Sequence, residues 1–158
     1  MAEGTPADTD PVAAWRALLR AQDAVVRSIE DDLARAGAVD LSWYDVLLEL
    51  NGAPDRRLRM QDLAARTVLS RSRVSRLVDE LVDRGLVERQ PDPTDRRASF
   101  AHLTAAGWEA LRAAAPVYLE GIERHFTVHL DVDERAVLTD ALQRVVTAHA
   151  ERCAGRHR

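Results

Sequence analysis

Three serines and three arginines crowd the stretch from position 70 to 76: Ser70, Arg71, Ser72, Arg73, Ser75 and Arg76. Small hydroxyls let a backbone come close to another polymer. Guanidiniums offer paired donors to phosphate oxygens or to the O6 and N7 edge of guanine, and the start of a helix attracts anions with its free N–H groups. Serine is a mediocre helix former, so packing alone would not choose three of them. About twenty residues on, Arg96 and Arg97 follow the turn-forming run Pro91, Asp92, Pro93, Thr94 and Asp95. The chemistry on offer is charge-assisted contact with a polyanion; the bland alternative is a solvated charged surface.

These residues need elements to position them. Apolar steps of three and four residues predict a long amphipathic helix from Pro11 to about Ala36, capped by Asp10 and stopped by Gly37. A shorter helix, Trp43 to Leu50, is expected after a Ser42 cap, and a third over Met60 to Thr67. Ser70 then opens a helix whose inward face is Val74, Leu77, Val78 and Leu81, which leaves the serines and arginines on other faces. Gly85 ends it. Leu86 to Gln90 and Ala98 to Leu103 read as the two strands of a hairpin. Thr104 caps another long helix to about Phe126, with a kink expected at Pro116, and Asp131 or Asp133 starts a last helix to about Arg152.

The chain has 158 residues and a net charge of −4, which at first argues against a nucleic-acid partner. Counted by segment the balance reverses. Between Arg56 and Arg97 eleven arginines face seven acids, a net +4, while the remainder holds 11 basic and 19 acidic residues, a net −8. A basic helix-turn-helix followed by an Arg-tipped hairpin suits a reader of duplex DNA: one helix for the major groove and a wing for phosphates or the minor groove beside it.

The run LSRSRVSRLVDELVDRGLVERQPDPTDRRASFAHLTAAG resembles the recognition helix and wing of the MarR family of bacterial transcription regulators. Its wing motif, Asp-x-Arg followed by Leu-Thr, stands here as Asp95-Arg96-Arg97 and Leu103-Thr104. The resemblance implies a mainly α fold with a small β wing. A winged helix-turn-helix lobe would cover 41–103, and dimerisation helices at 11–37 and 104–153 would make an intertwined homodimer, with tails at 1–10 and 154–158. It further implies a roughly palindromic operator on double-stranded DNA, repression often relieved by a small molecule, Arg97 in the minor groove, and Asp95 bracing the wing by pairing with an arginine. Ser72, Arg73, Ser75 and Arg76 are expected at base edges or nearby phosphates, with Ser70 as the cap, Arg71 on phosphate and Arg96 on the wing beside Arg97. Arg84 and Arg89 read equally well as phosphate contacts or as ordinary surface charges.

An effector pocket for a phenolic or other aromatic anion would draw on Trp15, Trp43, Tyr44 and Asp45, with Arg76 or Arg89 for the anionic group. Asp45, Arg76 and Arg89 match the family's urate-responsive branch; Trp15 has no residue-for-residue counterpart there. The alternative is that the aromatics are core. His125 and His129, four apart, have zinc spacing but lack a third ligand, so no metal is expected. Cys153 has only Arg152 nearby to lower its pKa, and makes a poor redox sensor. The sequence carries no Gly-x-Gly-x-x-Gly, phosphate loop, Gly-x-Ser-x-Gly or Cys-x-x-Cys, which argues against an enzyme or a cofactor. A winged module that binds protein instead of DNA stays open. No apolar run approaches the roughly 18 residues of a membrane span, and a cytoplasmic location without a membrane partner is expected.

Overall fold

Periodicity becomes architecture with few shifts. The computed structural model describes residues 10, 12–67, 69–95 and 98–155, with side chains through residue 149. Among them the order is α1 (Ala13–Arg35), α2 (Leu41–Asn51), a 3-10 turn (Pro54–Arg56), β1 (Arg57–Arg59), α3 (Met60–Arg66), α4 (Arg71–Asp83), β2 (Val87–Pro91), β3 (Ser99–Leu103), α5 (Ala105–His125), a 3-10 turn (Thr127–His129) and α6 (Val132–Gly155). The fold is therefore mainly helical with a small antiparallel sheet, as the pattern predicts. The sheet has three strands in the order β1-β3-β2, with Leu58 opposite Ala101 and Arg89 opposite Ala101 on the other side. Pro91 lies on an edge strand, where its missing N–H leaves no gap in the ladder.

Several boundaries differ from expectation, each for a local reason. The α1 helix starts at Ala13 with Val12 as its cap residue, and Asp10 serves its N-terminus by accepting from the Val12 N–H at 3.0 Å. Asp40, not Ser42, caps α2: its carboxylate accepts from the Trp43 N–H at 2.9 Å, and Ser42 sits inside the first turn donating to the same carboxylate. β1 was not expected, because three residues are too few to show alternation. The α5 helix continues past Pro116 to His125. His125 and His129 do not share a helix: the first ends α5 and the second lies in the following turn. The last helix runs past the expected Arg152 to Gly155, so Ala154 and Gly155 belong to α6 and not to a tail; residues 1–9 and 156–158 and the Cys153 side chain lie outside the described residues.

One apolar cluster joins α2, α3, α4 and the sheet, and takes in Ile29 and Leu33 of α1 and Leu111 and Ala114 of α5. Gly107 lets α5 begin close under the α4–β2 turn, since a Cβ there would lie 2.0 Å from the Leu86 carbonyl oxygen. Thr104 fixes the same corner by donating to the Gly85 carbonyl and accepting from the Gly107 N–H.

Polar cement joins α1 to the end of α5. Asp32 is buried, and its carboxylate meets His125 Nε2 at 2.8 Å, Arg35 at 2.6 Å and Arg124 at 3.1 Å. The His125 hydrogen bond, followed by the charges of Arg35, His125 and Arg124, holds the Asp32 carboxyl below the usual carboxylate range against the opposing effect of burial. A carboxylate with a lowered folded pKa contributes stability above its unfolded pKa, and that stability is lost as pH falls through the folded value. Asp32→Asn is therefore expected to unfold at lower urea than the parent above about pH 5, and the gap should close in stronger acid as the parent's carboxyl protonates. A gap independent of pH would remove the charge from this account.

Candidate nucleic-acid interface

The second helix of the α3–α4 pair presents the basic face. Ser70 caps α4, its hydroxyl accepting from the Arg73 N–H at 3.3 Å and lying 3.2 Å from the Ser72 hydroxyl. Val74, Leu77, Val78 and Leu81 are buried against α2, α3 and β2. With one face so committed, Arg71, Ser72, Arg73 and Arg76 are exposed and Ser75 is half-buried.

The pairing of charges separates two kinds of arginine. Arg59, Arg66 and Arg89 each meet a carboxylate, of Asp92, Glu49 and Asp79 respectively. Arg71, Arg73 and Arg76 form no ion pair with any described residue, and Arg76 only donates to the Ser72 carbonyl at 3.4 Å. Three uncompensated guanidiniums thus share the first two turns of α4, beside free N–H groups that add partial positive charge. Arg84 stacks its guanidinium 5.8 Å from the Trp43 ring centroid.

Arg89 has a different task from the ones its sequence suggested. From β2 it donates to Asp79 at 2.8 and 3.0 Å and to the carbonyl and hydroxyl of Ser75, both at 3.3 Å, so it fastens the wing strand to α4. Asp92, which the sequence offered only as a turn residue, is buried beneath the wing; it accepts from the Thr94 N–H and hydroxyl and meets Arg59. Asp95 accepts at its carbonyl from the Ala98 N–H. Arg96 and Arg97 lie outside the described residues.

The six residues suggested for an effector pocket do not gather. Tyr44 is buried against Tyr118, ring centroids 4.5 Å apart, and burial raises both phenols. Beside them, loss of hydration and then the Glu49 charge raise the Asp45 carboxyl, although the residue as a whole is exposed. Trp43 points elsewhere, donating to Glu80 at 3.2 Å, and lines a cleft of about 510 Å³ together with Glu30, Asp40, Arg84, Leu86 and Ala110. Trp15, Tyr44, Asp45, Arg76 and Arg89 do not line that cleft. Trp15 is mostly exposed on α1, and Arg76 and Arg89 belong to α4 and the wing.

A helix-turn-helix with a hairpin wing and an unpaired basic helix defines a winged-helix protein. Comparison with known proteins agrees. The MarR family pattern matches residues 39–98. AbsC, a MarR family transcriptional regulator from Streptomyces coelicolor, is 32% identical, with 93% of this chain and 99% of that chain covered and a TM-score of 0.81. Sco3205 from the same organism, a MarR family regulator solved in complex with DNA, is 28% identical, with 94% and 92% covered and a TM-score of 0.82. A putative transcriptional regulatory protein for the hcr operon of Thauera aromatica is 28% identical over 134 residues, 85% of this chain and 79% of that protein. The chain belongs to the MarR family of transcriptional regulators.

If the outward arginines serve a partner and not the fold, stability should ignore them. Ser70→Ala is expected to cost about 1 kcal/mol in urea unfolding through the lost cap. Arg73→Ala and Arg76→Ala should stay within about 0.5 kcal/mol of the parent. Equal losses in all three would make the arginines part of the fold's own support.

Proposed function

We propose that the protein is a homodimeric, sequence-specific DNA-binding regulator, acting as a repressor on a palindromic operator and read out through α4 and the wing. The observation that carries this reading is the set of three guanidiniums, unpaired among the described residues, on the first two turns of a helix whose opposite face is committed to the core. A phosphate backbone supplies the missing charge, and bidentate contact with guanine supplies the selectivity. Ser70 caps the helix start and Arg71 beside it serves phosphate, Ser72, Arg73, Ser75 and Arg76 meet base edges or nearby phosphates, and Arg96 and Arg97 act from the wing, with Asp95 bracing it. That Sco3205 was solved in complex with DNA supports DNA as the partner.

Dimerisation is supported by surface chemistry far from α4. None of the described side chains of α6 is buried, yet Val132, Val137, Val145 and Val146 are each more than half exposed, as are Leu119 of α5 and Val128 of the turn between the two helices. A 24-residue helix with so much open apolar surface is covered by something, and a second copy of the same helices is the partner a two-fold operator requires. Release by a small aromatic or phenolic ligand would complete the regulation. Among the described residues no helix is long and apolar enough to cross a membrane.

Two measurements test the proposal. In sedimentation equilibrium the parent should have the mass of two chains, and Val137→Asp should shift it towards one chain and weaken DNA binding with it; a parent of single-chain mass contradicts the dimer. On a duplex selected by the protein from a randomised pool, Arg97→Ala should lower the log-salt slope by roughly 0.9, the equivalent of one phosphate. Arg76→Ala should in addition relax the base preference by about 1–3 kcal/mol. Parent-like slope and preference in both variants would reject these roles.

A further inference from the structure

The neck of the wing holds a carboxylate that cannot reach DNA yet is tied to everything around it. The Asp92 side chain is 1% exposed. One of its oxygens accepts from the Thr94 N–H at 2.8 Å and from the Thr94 hydroxyl at 2.7 Å, which closes the turn that leads to the wing tip. The other lies 2.6 Å from an Arg59 guanidinium nitrogen, a close charge contact and not an aligned hydrogen bond. The Asp92 N–H also donates to the Ala98 carbonyl at 3.2 Å, pinching the two sides of the wing together. The Thr94 hydroxyl and N–H, with the Arg59 charge behind them, hold the carboxyl below its usual range, so it is ionised whenever the protein is at work.

Arg59 links this neck to the DNA-reading helices. It ends β1 and occupies the cap position of α3, but its side chain makes no capping bond there. Instead it crosses to Asp92, reaches the Thr94 hydroxyl at 3.4 Å and lies 5.7 Å from the centre of the Phe100 ring on β3. A single guanidinium therefore connects the start of the helix-turn-helix, the wing's inner strand and the wing's neck.

We propose that Asp92, held by Arg59, is a positioning residue for DNA binding: it sets the wing tip relative to α4 so that both meet one duplex, without itself touching DNA. The inference rests on the DNA-binding reading above. Removing the ion pair leaves α4 and its core intact but releases the tip, so the damage falls on the wing's grip alone.

The test uses the full-length protein and a duplex that the parent selects from a randomised pool, with anisotropy across salt and hydroxyl-radical footprints. Asp92→Asn is expected to bind about tenfold more weakly, with the log-salt slope lowered by about 0.9 for each phosphate that the wing ceases to neutralise. Protection should vanish at the flanks touched by the wing and persist where α4 lies. Arg59→Gln should reproduce this, carrying the test should Asp92→Asn fail to fold. Arg59→Lys, which keeps the charge, should recover part of the affinity, and the double variant Arg59→Gln, Asp92→Asn should be no worse than either single change. Parent-like affinity, slope and footprint would overturn the inference. So would a uniform fading of the footprint at the parent's slope, which marks a residue that serves stability only. A parent that selects no duplex overturns the DNA reading itself, and the inference with it.

Discussion

Everything in the basic face follows from the burial of one apolar seam. Val74, Leu77, Val78 and Leu81 are at most 4% exposed, and burying each such side chain stabilises the fold by about 1.5–3 kcal/mol. That commitment fixes the rotation of α4 about its own axis. Since neighbouring positions on a helix are about 100° apart, Arg71, Arg73 and Arg76 have nowhere to point but outward. Loss of the seam would not merely weaken the fold; it would free the helix to turn its arginines elsewhere.

Ion pairing sorts the rest. In the basic middle of the chain, an arginine that meets a carboxylate holds elements together: Arg89 ties β2 to α4, and Arg59 ties β1 to the wing's neck. Among the described residues, Arg56 and Arg84 lie against tryptophan rings without a carboxylate, and Arg71, Arg73 and Arg76, also without one, cluster at the start of α4. The acids that satisfy the first group are the price of rigidity, since Asp79 and Asp92 reduce the field that the lobe offers to phosphate. A stretch at +4 over residues 56–97, in a chain at −4, therefore relies on the placement of a few charges and not on bulk attraction.

Much of this was legible in the chain, and the misses have physical causes. The α4 helix was plain because its apolar period is long and regular and both of its ends carry strong signals, Ser70 and Gly85. β1 was invisible because three residues carry no period. Asp40 and Ser42 were both competent caps, and only the backbone decides between them. Turn composition could not tell Asp92 from Asp95, since burial and the arrival of Arg59 from 33 positions away depend on strand pairing. The pocket residues scattered for a related reason: Trp43 and Tyr44 are adjacent in sequence and so face different ways, one towards Glu80 and the other towards Tyr118. The role of His125 could not be read from its spacing to His129, because its partner, Asp32 of α1, lies 93 positions away.

The most direct test of the account is a crystal structure of the protein on a duplex that it has itself selected. It should show two copies related by a two-fold axis, with the first two turns of each α4 in successive major grooves about 34–36 Å apart and Arg71, Arg73 and Arg76 within hydrogen-bond reach of phosphates or guanine edges. A duplex seated on another face, with the start of α4 open to solvent, would contradict it.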